Sequence, residues 1–146
     1  MKKSVITVLL IIVLFTFSSC TNVNDDSLTE NNNLQEEQLT YSVISQSKAK
    51  EIIDSDSDVI ILDVRTQEEY DAGHIPDAIC IDHSEISEKA DKLLPDKDKQ
   101  ILVYCRTGRR SKIAAQSLVD LGYTNVKEFG GIIDWEYTTV IENTTV

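Results

Sequence analysis

The stretch Cys105-Arg106-Thr107-Gly108-Arg109-Arg110-Ser111 gathers one thiol, three guanidinium groups, two hydroxyls and a glycine within seven residues. It follows an apolar run, Gln100 to Tyr104, that reads as a buried strand. It leads into Ser111 to Leu121, an amphipathic helix with Ala114, Leu118 and Leu121 on one face. A cysteine at such a turn sits where parallel α/β sheets bind ligands, beyond the carboxyl ends of their strands. The backbone N–H groups of the turn and the helix N-terminus then form an anion cradle. Gly108 permits a backbone conformation that other residues resist. A free thiol ionises near pH ~8.5, and a helix N-terminus with adjacent arginines lowers that value. The chemistry this implies is attack by a thiolate, with Cys105 as nucleophile. Arg106, Thr107, Gly108, Arg109, Arg110 and Ser111 are the expected anion-binding loop. The competing reading is a structural cysteine among solvated arginines; the glycine, the arginines and the turn position together favour the reactive one.

Several elements are needed to position this turn. Tyr41 to Ile44 reads as a short strand, and Ser45 caps a helix running through Ile53. Asp58 to Val64 is a continuous apolar run rich in β-branched residues, the pattern of a buried parallel strand. Gln67 to Asp71 reads as a short helix closed by Gly73, Ala78 to Ile81 as a third strand, and Ser84 as the cap of a helix to Leu94. Val126 to Phe129 is the last strand, followed by Gly130-Gly131 and a short element around Trp135. Strands alternating with helices predict an α/β fold, a mainly parallel central sheet of about five strands with helices on both faces.

The 146 residues allow one domain. Fourteen basic residues against 25 acidic ones give a net charge of −11, which argues against nucleic-acid binding through bulk charge. Two prolines and five glycines exclude collagen-like or proline-rich architecture, and three cysteines exclude a disulfide-stapled miniprotein.

The N-terminus has the three-part pattern of a secretory signal: basic Met1-Lys2-Lys3, apolar Val5 to Phe17, then small residues. At ~1.5 Å per residue the apolar run falls short of a ~30 Å hydrocarbon core. Thr21 to Thr40 carries five acids, five asparagines and no lysine or arginine, so it cannot bury enough apolar surface to offset its ordering entropy. Residues 1–19 are therefore expected to be a signal peptide, 20–40 an acidic flexible tether, and 41–146 the domain. Without residues 1–40 the chain keeps 12 basic and 20 acidic residues, and three of those 12 lie in the Cys105 stretch.

Two resemblances go further. Phe17-Ser18-Ser19-Cys20 resembles the lipobox of bacterial lipoproteins, although that motif usually has leucine where Phe17 stands. The resemblance implies lipidation of Cys20 and an extracytoplasmic domain anchored to a bacterial membrane. Tyr41 to Tyr137 resembles a single-domain rhodanese. Asp63-Val64-Arg65 with Glu69-Tyr70, Gly73-His74-Ile75-Pro76, Val103-Tyr104-Cys105 with the loop to Ser111, and Gly130-Gly131-Ile132 with Trp135 match four ordered family blocks. That resemblance implies a sulfurtransferase without a cofactor. Cys105 would take the outer sulfur of thiosulfate or a similar anion as a persulfide, then pass it to cyanide or a thiol. Arg106, Arg109 and Arg110 would recruit the dianionic donor. Related phosphatases use Cys-x5-Arg, whereas Ser111 stands at that position here, which disfavours phosphate chemistry.

Asp63 and Arg65 are expected to form a structural ion pair, since a buried charge needs a partner, with Glu69 joining that network. His74 is expected to hydrogen-bond within its turn. His74, His83 and the cysteines lack metal-ligand spacing, so no metal site is expected. Cys80 stands where the family often has asparagine; it is either a small apolar filler or a resolving thiol for Cys105. A thiol-disulfide redox protein using Cys80 and Cys105, and a noncatalytic binding module, are the alternatives to the enzyme. A monomer is expected.

Overall fold

In a computed structural model, residues 40–141 are described. The expected signal, Cys20 and almost all of the tether lie outside these residues, as does the end of the chain. Among the described residues no helix is long and apolar enough to cross a membrane.

The elements run β1 (Ser42–Val43), α1 (Gln46–Ser55), β2 (Ile60–Asp63), α2 (Gln67–Asp71), β3 (Ile79–Cys80), α3 (Ile86–Leu93), β4 (Ile101–Cys105), α4 (Arg109–Asp120) and β5 (Val126–Gly131), then a 3-10 turn at Ile132–Asp134. The described strands pair in parallel in the order β1-β5-β4-β2-β3. β4 lies at the centre and is buried throughout, which is why it reads as an unbroken apolar run.

Alternation along the strands divides the core in two. Ile61, Leu102, Tyr104 and Phe129 face α1 with Ala49, Ile52 and Ile53. Leu62, Val103 and Cys105 belong to the other layer, with Ala90, Ala114 and Leu118 of α3 and α4. Helices thus cover both faces of the sheet, and Cys105 belongs to the α3/α4 side.

Local chemistry sets most boundaries. Ser45 Oγ accepts the Lys48 N–H at 3.1 Å and caps α1. Thr66 and Glu69 form a reciprocal capping box on α2. Two helix starts differ from the expectation. α3 begins at Ile86 rather than after Ser84, because the Ser84 amide and hydroxyl both turn to Asp82 Oδ1, at 2.9 and 2.7 Å. α4 begins at Arg109, so Arg109, Arg110 and Ser111 lie in its first turn instead of preceding it. Gly108, at φ +91°, ends the loop with no side-chain cap, and the first-turn N–H groups stay open to another acceptor.

Candidate active site

That acceptor is the Cys105 sulfur. The residue ends β4 and is 1% exposed, and the Gly108 N–H donates to Sγ at 3.1 Å. Burial alone would raise the thiol's pKa. Hydrogen bonds from the Ser111 hydroxyl and amide, and from the Thr107 and Gly108 amides, outweigh it and hold the thiol below its ordinary value. Their common cause is topological: the loop closes so tightly that helix N–H groups point back at the strand end.

Ser111 is fully buried, so it supports the cradle from beneath rather than lining an open face. Its Oγ lies 2.6 Å from Glu128 Oε1 and 3.0 Å from the Gly108 carbonyl, so Glu128, that carbonyl and the Cys105 sulfur compete for one proton. Glu128, on β5 and 1% exposed, also accepts the Gly130 N–H at 2.9 Å. Sequence reasoning missed this carboxylate. The available signal was an acid between Val126 and Phe129 in an apolar strand, where an ionisable side chain must find partners.

β5 also supports the loop by contact. A Cβ on Gly131 would lie 2.3 Å from the Arg106 carbonyl oxygen and 2.6 Å from Thr107 Cα, so only glycine fits there. The β4–β5 register shifts between Val103 and Cys105, placing Gly131 opposite Cys105. Beside the loop lies a cleft of about 320 Å³ lined by Val43, Gln46, Thr107, Lys112, Glu128 and Phe129.

The arginines divide. Arg106 and Arg109 are exposed. Arg110, expected to act with them, is instead clamped by Glu69: Nη1 donates to Oε2 at 2.6 Å and Nη2 to Oε1 at 2.8 Å. Hydrogen bonding to Arg110 is the main cause that lowers the Glu69 pKa to about 2. Glu69 therefore pairs with the loop and not chiefly with Asp63 and Arg65, a correction to the expected network. Asp63 and Arg65 pair with each other behind the site: Arg65 Nε reaches both carboxylate oxygens at 2.9 and 3.0 Å, and Nη2 reaches Oδ2 at 2.6 Å. Nη2 also donates to the Gly73 carbonyl at 2.7 Å, tying β2 to the His74 turn. His74 is buried, with Nδ1 2.9 Å from the Tyr70 carbonyl, its ring stacked on Tyr70 and its backbone paired with Val140. Phe129 and Trp135 lie in the α1-side core.

Cys80 cannot be a resolving thiol in this arrangement. It pairs with Asp63 on β2, and Asp63 pairs with Tyr104 on β4. Two strand spacings, roughly 9–10 Å, separate the β3 and β4 backbones. A disulfide needs Cα atoms within about 7 Å. Burial, then the Asp63 charge, push the Cys80 thiol up to about 11.

A parallel five-strand α/β sheet with helices on both faces is shared by a known family. Residues 45–138 match the model of the rhodanese-like domain, and the chain belongs to that family. It is 38% identical over 100 residues to the putative sulfurtransferase YtwF of Bacillus subtilis, covering 68% of this chain and 95% of that protein. It is 40% identical over 73 residues to the thiosulfate sulfurtransferase PspE of Escherichia coli, covering 50% of this chain and 70% of that one. Among solved structures, a rhodanese-related protein from Thermoplasma volcanium matches with a TM-score of 0.61 at 36% identity, over 70% of this chain and 100% of its own. A rhodanese with anions from Escherichia coli matches with a TM-score of 0.54 at 36% identity, over 57% and 98%.

Proposed function

We propose that the protein is a sulfurtransferase in which Cys105 carries sulfur as a persulfide between an anionic donor and a thiophilic acceptor. The observation that carries this reading is the Cys105 sulfur, held below its ordinary pKa by the amides and the Ser111 hydroxyl at the start of α4. With thiosulfate as donor, the Cys105 thiolate attacks the outer sulfur. The new Cys–S bond forms as the S–S bond of thiosulfate breaks, and sulfite leaves with the bonding pair. The terminal persulfide sulfur keeps one negative charge, and the N–H groups that stabilise the thiolate are placed to stabilise that charge as well. Cyanide then attacks the terminal sulfur, leaves as thiocyanate, and restores the thiolate. No general base is assigned to the attack, because the amides and the Ser111 hydroxyl favour the thiolate over the thiol. Arg106 and Arg109, exposed beside the thiol, attract the dianion. Relatives named as sulfurtransferases support the same class.

The test is intact-mass spectrometry of the purified protein after thiosulfate treatment. A gain of one sulfur is expected, removed by cyanide and absent in Cys105→Ser. No gain on a reduced protein would overturn the reading and leave a noncatalytic binding role.

We further propose that the domain lies outside the cytoplasm, anchored by lipid on Cys20. The basic start, the apolar run and the lipobox-like Phe17 to Cys20 support this. Metabolic labelling with an alkyne fatty acid should mark the wild type and not Cys20→Ser.

A further inference from the structure

Three arginines follow Cys105, but only two present an unopposed charge. Arg106 and Arg109 are exposed, and the ion pairs among the described residues leave both uncommitted. Arg110 is held in the first turn of α4 by both oxygens of Glu69. Glu69 is itself fixed: its Oε2 accepts the Thr66 N–H at 3.2 Å in the capping box of α2. The carboxylate half of the clamp is thus held in place by the capping box as well as by Arg110. Its charge is permanent at working pH, because its pKa lies near 2. The hydrogen bond to Glu69 is the main support of the Arg110 cation, and a Cys105 thiolate adds a smaller attraction, so the guanidinium and the sulfur are coupled.

We infer that Glu69 is a specificity-determining residue: by cancelling the charge of Arg110 beside the Cys105 cradle, it weakens the site's grip on dianionic sulfur donors relative to monoanionic ones. The inference rests on the reading that Cys105 takes sulfur from an anion. A guanidinium with a carboxylate on it presents a dipole, whose effect falls off faster than that of a bare charge. Removing the carboxylate charge leaves one net positive charge at the rim. A donor with two negative charges gains about twice as much from it, in logarithmic terms, as a donor with one. Because the donor is charged before it reacts, the gain appears in KM and kcat/KM and not in kcat.

Glu69→Gln isolates the charge. Glutamine can still accept from the Thr66 N–H and from one Arg110 N–H, so α2 keeps its cap. Steady-state rates with thiosulfate, a dianion, and benzenethiosulfonate, a monoanion, make the comparison. Both donors yield the same Cys105 persulfide, releasing sulfite and benzenesulfinate respectively. The expected result is a KM lower by roughly tenfold for thiosulfate and roughly threefold for the monoanion, with kcat within twofold. Both gains should collapse near 1 M salt, where the screening length falls to ~3 Å. The midpoint pH for Cys105 alkylation by neutral iodoacetamide should move down. A merely structural Glu69 would move it up or leave it unchanged. Adding Arg110→Gln to Glu69→Gln should erase the gain, and Asp120→Asn, at the far end of α4, should change neither KM.

Equal shifts for the two donors, a raised or unchanged thiosulfate KM, or a gain that survives Arg110→Gln would overturn the inference. A wild-type protein that takes sulfur from neither donor overturns the sulfurtransferase reading, and this inference with it. A wild type that turns over normally, with Glu69→Gln indistinguishable from it, overturns this inference alone.

Discussion

Cys105 and Cys80 each end a parallel strand of one sheet, separated only by β2, yet the two ends are opposite environments. Beyond β4 the chain makes a tight loop, whose Gly108 amide points back at the sulfur, and enters a 12-residue helix. Beyond β3 it runs into Asp82 and His83 before α3 begins, and the Cys80 thiol meets the charge of Asp63 and a carbonyl of Arg65 at 3.7 Å. One thiol is pushed down and the other up to about 11. A strand end in an α/β sheet is thus not a reactive site by itself. The amides of a tight loop, joined by the Ser111 amide and hydroxyl in the first turn of the following helix, make it one.

The largest expected effect tests that contrast directly. Burial, then the Asp63 charge, push the Cys80 thiol up to about 11, so little of it is ionised at pH 8, whereas Cys105 titrates below an ordinary thiol. A small alkylating reagent at pH 7–8 should therefore modify Cys105 at least roughly tenfold faster than Cys80, as read by peptide mass mapping. Comparable rates would break the comparison. Cys80→Ser should keep thiosulfate:cyanide activity near the wild-type level, and loss of that activity would restore a role for Cys80.

Gly131→Ala should come next. Its methyl group meets backbone, which cannot swing aside as a side chain could. Overpacking of this kind costs about 1–3 kcal/mol, measurable as a lower urea midpoint. The displaced loop should also lose alkylation selectivity for Cys105. Unchanged stability and selectivity would show that β5 does not set the loop.

Ser111→Ala removes one donor and leaves the Gly108 amide bond to Sγ in place. The Cys105 pKa should rise, because the Ser111 hydroxyl is the first of the hydrogen bonds that offset the cost of burying the thiolate. The pH profile of alkylation would reveal it. An unmoved profile would assign the whole effect to backbone amides and sharpen the comparison further.

The smallest effect concerns the clamp at the rim. The folded Glu69 pKa is depressed, to about 2 against an ordinary ~4.3. A depressed carboxylate contributes stability that is fully present above its unfolded value and is lost as pH falls through the folded one. Wild type should exceed Glu69→Gln in stability above pH ~5, by at most about 1 kcal/mol for this partly exposed pair. That margin should close between pH ~4 and 2. A margin independent of pH would show that packing, not charge, holds Glu69.

Local pattern carried much of this architecture. The Ser45 and Thr66 segments, the run through β2 and the unbroken apolar β4 announce themselves through caps and period, and the chain does fold as a parallel α/β sheet with helices on both faces. Ser84 misled, because a serine two residues after an aspartate can serve that aspartate instead of a helix. The start of α4 differs from the expectation because Gly108 reads as loop, although its left-handed backbone is what lets the helix begin directly after it.

Most of the elements, the thiol at the end of a buried strand, and the glycine and arginines beside it are legible in the chain's local pattern. These depend on residues a few positions apart, where propensity, period and capping act. Folding across the sheet is what gives Arg110 to Glu69, 41 residues away, seats Ser111 on Glu128, 17 residues away, and sets Gly131 against the loop. It also keeps Cys80 and Cys105 a strand apart. The reason is physical. Which side chains meet across a sheet follows from strand order and register, and these are set by how the two apolar layers close over the whole domain, which no local stretch of sequence encodes.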